Sequence, residues 1–176
     1  MRPDLRALAR LAARAADAWR RPAATRRVRS RTGDTVPPDA AGGTSRPYAG
    51  DWDGPVRPVH RPLADGEPDP GEIVWTWVPY EEDHRRGKDR PVLVVDRHGE
   101  HLLCLMLTSR DRSNRFEQDP DHLDIGTGAW DPRGRPSEVR LDRVVRVLPA
   151  DVRREGAVLP EDRFRRVAEA LRRRRE

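Results

Sequence analysis

The sequence predicts a mainly β fold with helices, of the α+β class, in which a small and mostly antiparallel β-barrel ends in a helix. Two observations lead to this prediction. From Gly71 onward, short segments rich in β-branched and aromatic residues follow one another with turn residues between them, which is typical of antiparallel strands. Near the end of the chain, apolar residues recur at helical spacing instead. The chain of 176 residues has room for one such domain with appendages, and we place it at residues 71–176.

Three strands are predicted within a short stretch. In the first, aromatic and β-branched side chains alternate with the two-residue period of a strand. The third is apolar at nearly every position, so we expect both of its faces to be buried. A turn at residues 98–100 joins the second strand to the third. The three strands cover residues 73–78, 91–96 and 102–108.

Two more strands and a helix complete the predicted domain. The strands, residues 138–141 and 144–148, follow a turn-rich stretch with several glycines and prolines. Just before that stretch, the acidic residues and the histidine around Pro120 are interpreted as solvated turn residues rather than as a metal site. The helix starts at Pro160 and ends in four arginines, which suit either solvent or a nucleic acid. Its apolar stripe comprises Phe164, Val167, Ala168 and Leu171.

The part of the chain before Gly71 divides into two segments. Residues 1–31 carry ten arginines and two aspartates, and their apolar residues recur at three- and four-residue steps, which predicts a basic amphipathic helical arm. Such an arm suits contact with RNA, an acidic partner or a membrane surface, or it is a marginal helix without such a role. Residues 32–70 contain eight prolines and six glycines, which predicts a disordered linker.

Composition excludes several classes of protein. The longest apolar run, residues 102–107, is far shorter than the roughly 20 residues that cross a bilayer, so we expect no membrane span. Arginines interrupt every candidate apolar core of a signal peptide near the N-terminus, so we expect a cytoplasmic protein. The single cysteine, Cys104, can form neither an internal disulfide nor a thiolate zinc site, and its place in the apolar run indicates a core residue.

A long charged connector separates the first two predicted strands. It comprises the eleven residues 79–89, whereas a hairpin commonly uses about two to five, and such length is typical of a functional loop. The residue before a proline is driven to an extended conformation, so Arg90, which precedes Pro91, is expected at the mouth of the second strand. Its guanidinium presents a planar fork of donors that matches phosphate oxygens.

The third predicted strand ends in two hydroxyl side chains, Thr108 and Ser109. If the second and third strands are hairpin neighbours, Thr108 lies close to Arg90. An arginine, hydroxyls and a charged loop at one edge of a barrel suit phosphodiester chemistry without a metal ion. We therefore expect neither a metal nor another cofactor.

Four segments of the chain resemble, in order and spacing, the PemK/MazF toxins of type II toxin–antitoxin systems. The segments are residues 71–75, 87–95, 105–109 and 137–144, and the resemblance extends over about residues 71–171. It implies a barrel of the Src-homology-3-like type, a homodimer, and sequence-selective cleavage of single-stranded RNA such as mRNA. In that family the ribose 2′-hydroxyl attacks the phosphate and leaves a 2′,3′-cyclic phosphate and a 5′-hydroxyl. The resemblance assigns catalysis to the residues that match the family's pattern, Arg90 and Thr108.

The resemblance also implies partners, and the sequence differs from the family's pattern at one place in the loop. A cognate antitoxin would occupy the RNA groove across the dimer, and the toxin–antitoxin complex would bring the protein into contact with DNA. Where many relatives carry a small polar residue and a glutamine before the glycine of the loop, this chain has Arg85 and Arg86. Two extra cations should strengthen phosphate contact and steepen the dependence of binding on salt.

Several residues near this edge are candidates for support of the reaction. Ser109 could share the task of Thr108, and His84 is either a proton-transfer group or an exposed loop residue. Trp130 either stacks an RNA base or anchors its loop. For contact with RNA phosphates, with simple solvation as the alternative, the candidates are Arg85, Arg86, Lys88, Arg110 and Arg112.

Two other functions fit the same sequence. The domain could be a catalytically silent barrel that binds nucleic acid or an antitoxin-like peptide, since a fold does not guarantee an activity. Alternatively, the basic arm could localise the domain to a membrane surface, in which case deleting residues 1–31 abolishes binding to liposomes.

Overall fold

The computed structural model describes residues 43–109 and 119–176, in which six antiparallel strands form one sheet and a helix follows. The strands are β1 (Glu72–Pro79), β2 (Gly87–His98), β3 (His101–Ser109), β4 (His122–Gly126), β5 (Ser137–Val147) and β6 (Val152–Val158). A short 3₁₀ helix, Pro149–Asp151, precedes β6, and helix α1 spans Glu161–Arg175. The strand order across the sheet is β4-β5-β3-β2-β1-β6. The predicted α+β class with a C-terminal helix is confirmed.

Both faces of the sheet are covered. Along β3, Leu103 and Leu105 join one apolar cluster while Leu102 and Cys104 join another, because successive side chains of a strand point to opposite faces. Helix α1 covers the first cluster, to which its predicted stripe contributes. The second cluster draws its members from β1, β2, β3, β5 and the start of β6, so the sheet itself curls around it. Residues 102–107 are at most 6% exposed, which confirms that β3 is buried on both faces.

The strands differ from the prediction at their ends. β2 begins at Gly87 rather than Pro91, so the connector is residues 80–86 and shorter than expected. The charged residues Lys88 and Asp89 are exposed there and pair with β1 through their backbones, and backbone pairing places no demand on an exposed side chain. The predicted strands 138–141 and 144–148 form one strand, β5, with an irregularity between them.

Two edge strands were missed. Residues 122–126 were interpreted as part of a turn-rich stretch and 152–158 were assigned no strand, yet they form β4 and β6 at the two edges of the sheet. An edge strand is short and keeps one side in solvent, so its side chains show little apolar periodicity. Among the described strands each pairs with a single neighbour, β4 with β5 and β6 with β1.

The prediction of a disordered linker over residues 32–70 is wrong for residues 43–70, which we name the strap. The strap has no strand or helix, but the backbone N–H of Trp52 donates to Val144 at 2.8 Å and that of Val59 donates to Val95 at 3.1 Å. The Trp52 ring packs against the first apolar cluster. Order in this proline- and glycine-rich segment comes from contacts with the sheet, which local composition does not reveal. Residues 32–42, and the helical arm predicted at 1–31, lie outside the described residues.

Within the described residues, no helix has the length and apolar character needed to cross a membrane.

Candidate functional site

The candidate site is built around Arg90, which lies inside β2. The prediction that Arg90 stands at a strand mouth is wrong, because β2 starts three residues earlier and Arg90 is paired with Thr76 of β1. The register between β2 and β3 pairs Val92 with Met106. The β2–β3 ladder ends at this pair, and Arg90 and Thr108 each lie two residues beyond it, where β2 still pairs with β1 and β3 with β5. The two residues expected to act together thus lie at the same end of neighbouring strands.

A bulge in β5 brings two more arginines to Arg90. Leu105 of β3 pairs with Val144 and Leu107 pairs with Val139, so the four residues 140–143 of β5 stand opposite Met106 alone. Bulges of this kind redirect side chains and are common next to active sites. The bulge carries Arg140 and Arg143, and the charge of each acts on Arg90. Three guanidinium groups are therefore gathered from β2 and β5.

Carboxylates neutralise two of these three arginines. Arg140 is ion-paired with Asp142 and with Glu81, the latter at 2.8 Å. The hydrogen bond from Arg140 to Asp142 leads the causes that raise the pKa of Arg140. Arg143, only 6% exposed, donates from Nε to Asp51 Oδ2 at 2.8 Å and from Nη1 to the carbonyl oxygen of Pro79 at 2.8 Å.

The guanidinium of Arg90 differs from both of its neighbours. Among the residues that the structure describes, it has no carboxylate partner and no side-chain hydrogen bond, although it is half-buried. Burial is the main cause that lowers its pKa, Arg140 and Arg143 add to this effect, and Tyr80 opposes it. An arginine stays charged under such a shift because its ordinary pKa is so high. Arg90 is therefore a partly dehydrated cation placed to bind an anion.

The hydroxyl groups at the end of β3 remain open to a ligand. Thr108 is partly exposed, and its Oγ1 reaches only the carbonyl oxygen of Ser109, at 3.5 Å, which is the outer limit of a hydrogen bond. Ser109 is exposed at the last position of the strand. Either hydroxyl can reorient toward a phosphate without breaking a strong bond.

The loop between β1 and β2 holds the other candidates that the structure describes. His84 meets the ring of Tyr48 edge-on, with ring centroids 5.0 Å apart. Arg85 is ion-paired with Asp83 at 3.1 Å, and the Arg86 guanidinium lies 5.9 Å from the centre of the Tyr80 ring. Lys88 is exposed at the start of β2, while Arg110 and Arg112 lie outside the described residues.

A glycine fixes the base of this loop. A Cβ atom on Gly87 would lie 2.3 Å from the carbonyl oxygen of Val78 and 2.8 Å from the ring of Trp77. Only glycine allows β1 and β2 to approach so closely at the pair Pro79 and Gly87. The tight approach sets the position of the loop relative to Arg90.

Sequence reasoning missed Arg140 and Arg143 as members of the site. Both stand in the segment 137–144 that carries the resemblance, but the sequence gives neither a functional role: Arg140 falls within a predicted strand and Arg143 between two predicted strands. The carboxylates that pair with them, Glu81 and Asp51, are far away in the chain, so no local sequence pattern could have indicated these ion pairs.

The two alternatives for Trp130 are resolved. Its ring is 3% exposed and its Nε1 donates to Ser137 Oγ at 3.0 Å, so it anchors the loop. Near Pro120, His122 Nδ1 pairs with Asp119 Oδ2 at 2.8 Å. In the described ranges no group of three or more His, Cys, Asp or Glu side chains is arranged to hold a metal ion.

Comparison with known proteins assigns the family. The model of the PemK-like, MazF-like toxins of type II toxin–antitoxin systems matches residues 69–174. Among solved structures the chain is similar to MazE-MazF (Form-II) from Deinococcus radiodurans, with 19% identity, a TM-score of 0.44, and coverage of 61% of this chain and 93% of that one. It is also similar to the Mycobacterium tuberculosis toxin MazF-mt6, with 18% identity, a TM-score of 0.40, and coverage of 57% and 91%. No curated protein sequence matches the chain.

The family match includes Arg90, Thr108 and the β5 bulge, and it extends over well more than half of the chain. Similarities as low as those to the two solved structures add nothing to it about function. The chain belongs to the PemK-like, MazF-like toxin family of type II toxin–antitoxin systems.

Proposed function

We propose that this toxin is an endoribonuclease that cleaves single-stranded RNA at selected sequences without a metal ion. The observation that carries the proposal is Arg90, a half-buried guanidinium that has no carboxylate partner among the described residues and lies at the same end of the β2–β3 pair as Thr108. A desolvated cation of this kind favours a phosphate group, which supplies the missing negative charge.

The arrangement suits transfer of the phosphate within RNA. The ribose 2′-oxygen attacks the phosphorus atom, a bond to the 2′-oxygen forms, and the bond to the 5′-oxygen of the next nucleotide breaks. The 2′-hydroxyl loses its proton and the leaving 5′-oxygen gains one, so the products are a 2′,3′-cyclic phosphate and a 5′-hydroxyl. Negative charge grows on the non-bridging oxygens during attack, and Arg90 stabilises that charge from a fixed position.

The neighbouring groups have supporting roles in this proposal. Thr108, and with it Ser109, orients the scissile phosphate by donating a hydrogen bond. Arg90 is a poor general base even with a lowered pKa, so the proton is taken by another group. His84 is the candidate in the loop. The phosphates on either side are held by Arg85, Arg86, Lys88, Arg110 and Arg112.

The partners follow from the family. We propose a cognate antitoxin, a homodimer of the toxin, and contact with DNA through the toxin–antitoxin complex. Single-stranded mRNA in the cytoplasm is the proposed substrate.

Incubation of the purified protein with a long single-stranded RNA in excess EDTA tests the activity. We expect discrete cuts with 2′,3′-cyclic phosphate ends, no cuts with Arg90→Ala, and strongly reduced cutting with Thr108→Ala but not with Thr108→Ser. Arg165→Ala, at an exposed position of α1, is the matched control and should cut normally. Cleavage that stops in EDTA, or that persists in Arg90→Ala, would overturn the proposed mechanism.

One observation favours a second function. Asp142, Glu81 and Asp51 already neutralise two of the three arginines of the site, which suits a barrel that binds nucleic acid or a peptide without cutting it. Binding of RNA by the wild-type protein without cleavage in the same assay would establish this alternative.

A further inference from the structure

The strap is fastened to the bulged strand beside the candidate site. The guanidinium of Arg146 donates to the carbonyl oxygens of Ala49 and Gly50, the latter at 2.8 Å. Two residues further along the strap, the Trp52 N–H donates to the carbonyl oxygen of Val144 at 2.8 Å. These contacts bring the acidic residue between them, Asp51, to Arg143.

Asp51 is held at Arg143 from two sides. Its Oδ2 accepts a hydrogen bond from Arg143 Nε at 2.8 Å, and its Oδ1 accepts one from the hydroxyl of Tyr48 at 2.5 Å. The charge of His84, in the loop between β1 and β2, also acts on this carboxylate. The carboxylate of the strap thus joins the loop and β5 at the edge of the candidate site.

The guanidinium of Arg143 keeps an unused donor in this arrangement. Arg143 is only 6% exposed, and its Nη2 atom is buried with no hydrogen-bond partner among the described residues. An unpaired buried donor of a charged group is costly, so a single carboxylate is an incomplete ligand for this site. A phosphate offers more acceptor oxygens than a carboxylate and suits the arginine fork.

Open space lies next to the pair. A concavity of about 440 Å³ is bordered by Asp51, Arg143 and four further polar side chains, Asp53, Glu81, Asp142 and Arg175. Two of its four carboxylates belong to the strap, so the concavity repels phosphate while the strap is in place. Without Asp51 and Asp53 the same surface would carry two fewer negative charges, and the Arg143 guanidinium would lack its carboxylate partner.

We infer that Asp51 is a built-in competitor of the substrate: its carboxylate occupies at Arg143 a phosphate-binding position that RNA takes when residues 48–52 are displaced. The inference rests on the proposed function for the identity of the occupant. Binding of RNA is then coupled to opening of the strap. The measured association constant equals that of the open site multiplied by the fraction of molecules whose strap is open.

Asp51→Asn tests this inference, because the amide keeps the shape of the side chain while it removes the charge. The amide oxygen can still accept from Arg143 Nε, and the amide NH₂ then faces the Tyr48 oxygen, which can accept. Asp53→Asn is the matched control, since Asp53 belongs to the same strap and the same concavity but makes no ion pair with a described residue. The probe is a fluorescein-labelled random-sequence 2′-O-methyl oligonucleotide, which lacks the free 2′-hydroxyl and so reports binding without cleavage.

We expect Asp51→Asn to bind the probe about tenfold more tightly than the wild-type protein, and Asp53→Asn to stay within about threefold. Equal effects of the two variants, or weaker binding by Asp51→Asn, would overturn the inference. In case Asp51→Asn does not fold, Tyr48→Phe leaves the carboxylate in place but removes the hydrogen bond to Asp51 Oδ1, together with the one between the Arg146 backbone and the Tyr48 hydroxyl, and should shift affinity in the same direction.

Hydrogen exchange on the wild-type protein gives a test without substitution. The amide of Trp52 is bonded to Val144, so displacement of the strap should speed its exchange when the oligonucleotide binds. Unchanged or slower exchange of the Trp52 amide at saturating oligonucleotide overturns the inference. If the wild-type protein nevertheless cuts RNA in the cleavage assay, the proposed function stands. No binding by the wild-type protein or either variant would overturn both.

Discussion

Replacement of Gly87 by alanine tests how the site is positioned. The added Cβ would lie 2.3 Å from the carbonyl oxygen of Val78 and 2.8 Å from two ring carbons of Trp77. Neither obstacle yields easily, because the carbonyl belongs to the paired strand β1 and the Trp77 side chain is 5% exposed. Overpacking of a rigid site costs about 1–3 kcal/mol, and we expect Gly87→Ala to reach the upper end of that range.

Urea unfolding of wild-type and variant proteins measures this cost, and the RNA cleavage assay measures its effect on the site. Relief of the clash must separate β1 from β2 at the base of the loop, which shifts Arg90, so we expect activity to fall further than stability explains. Gly43→Ala is the control, because nothing lies within 4 Å of a Cβ at that position. A Gly87→Ala protein within about 0.5 kcal/mol of the wild type and equally active would refute the reasoning.

Three further predictions concern the core, the strap and the loop anchor. Leu171→Ala, at a fully buried position of α1, should lower the free energy of unfolding by about 2–5 kcal/mol in urea. Burial acts to raise the pKa of Asp51, but hydrogen bonds from Arg143 and Tyr48 outweigh it and leave the pKa below the usual value. Asp51 therefore stabilises the strap above the unfolded-state pKa of about 3.9, and this stabilisation is lost as pH falls through the lower folded value. The protection factors of the strap amides, which correct for the intrinsic pH dependence of exchange, should fall over that acidic range in the wild type and show no such step in Asp51→Asn. Trp130→Phe removes the buried hydrogen bond to Ser137 and should cost about 1–2 kcal/mol in thermal unfolding without changing RNA sequence preference, whereas a changed preference would mean that Trp130 contacts a base.

Most of the central fold could be predicted from local patterns. Alternating side chains predict β1, and a continuous apolar run predicts β3. An apolar stripe whose four members are all buried predicts α1. These elements lie in the middle of the sheet or against it, so burial determines which side chains they can carry. The edge strands β4 and β6 were not predicted, because an edge strand needs only backbone pairing on one side and so imposes little apolar pattern on its side chains.

The candidate site was predictable only in part. Arg90 and Thr108 follow from the strand order and from the resemblance, and both lie just beyond the last paired residues of β2 and β3. Arg140 and Arg143 could not be predicted, since the bulge that redirects them depends on how β5 pairs with β3. Their counter-charges come from the loop and from the strap, far away in the chain.

The sequence by itself determined the elements whose cause is local: the strands and helix of the core, and an arginine before a proline as the candidate catalytic group. The tertiary structure alone decided the order of the strap and the composition of the cation cluster. The strap has too few apolar residues to predict that it folds, and it is held by backbone hydrogen bonds and by the pair of Asp51 with Arg143. Such contacts join residues distant in the chain, so they exist only once the sheet has formed and its register is set.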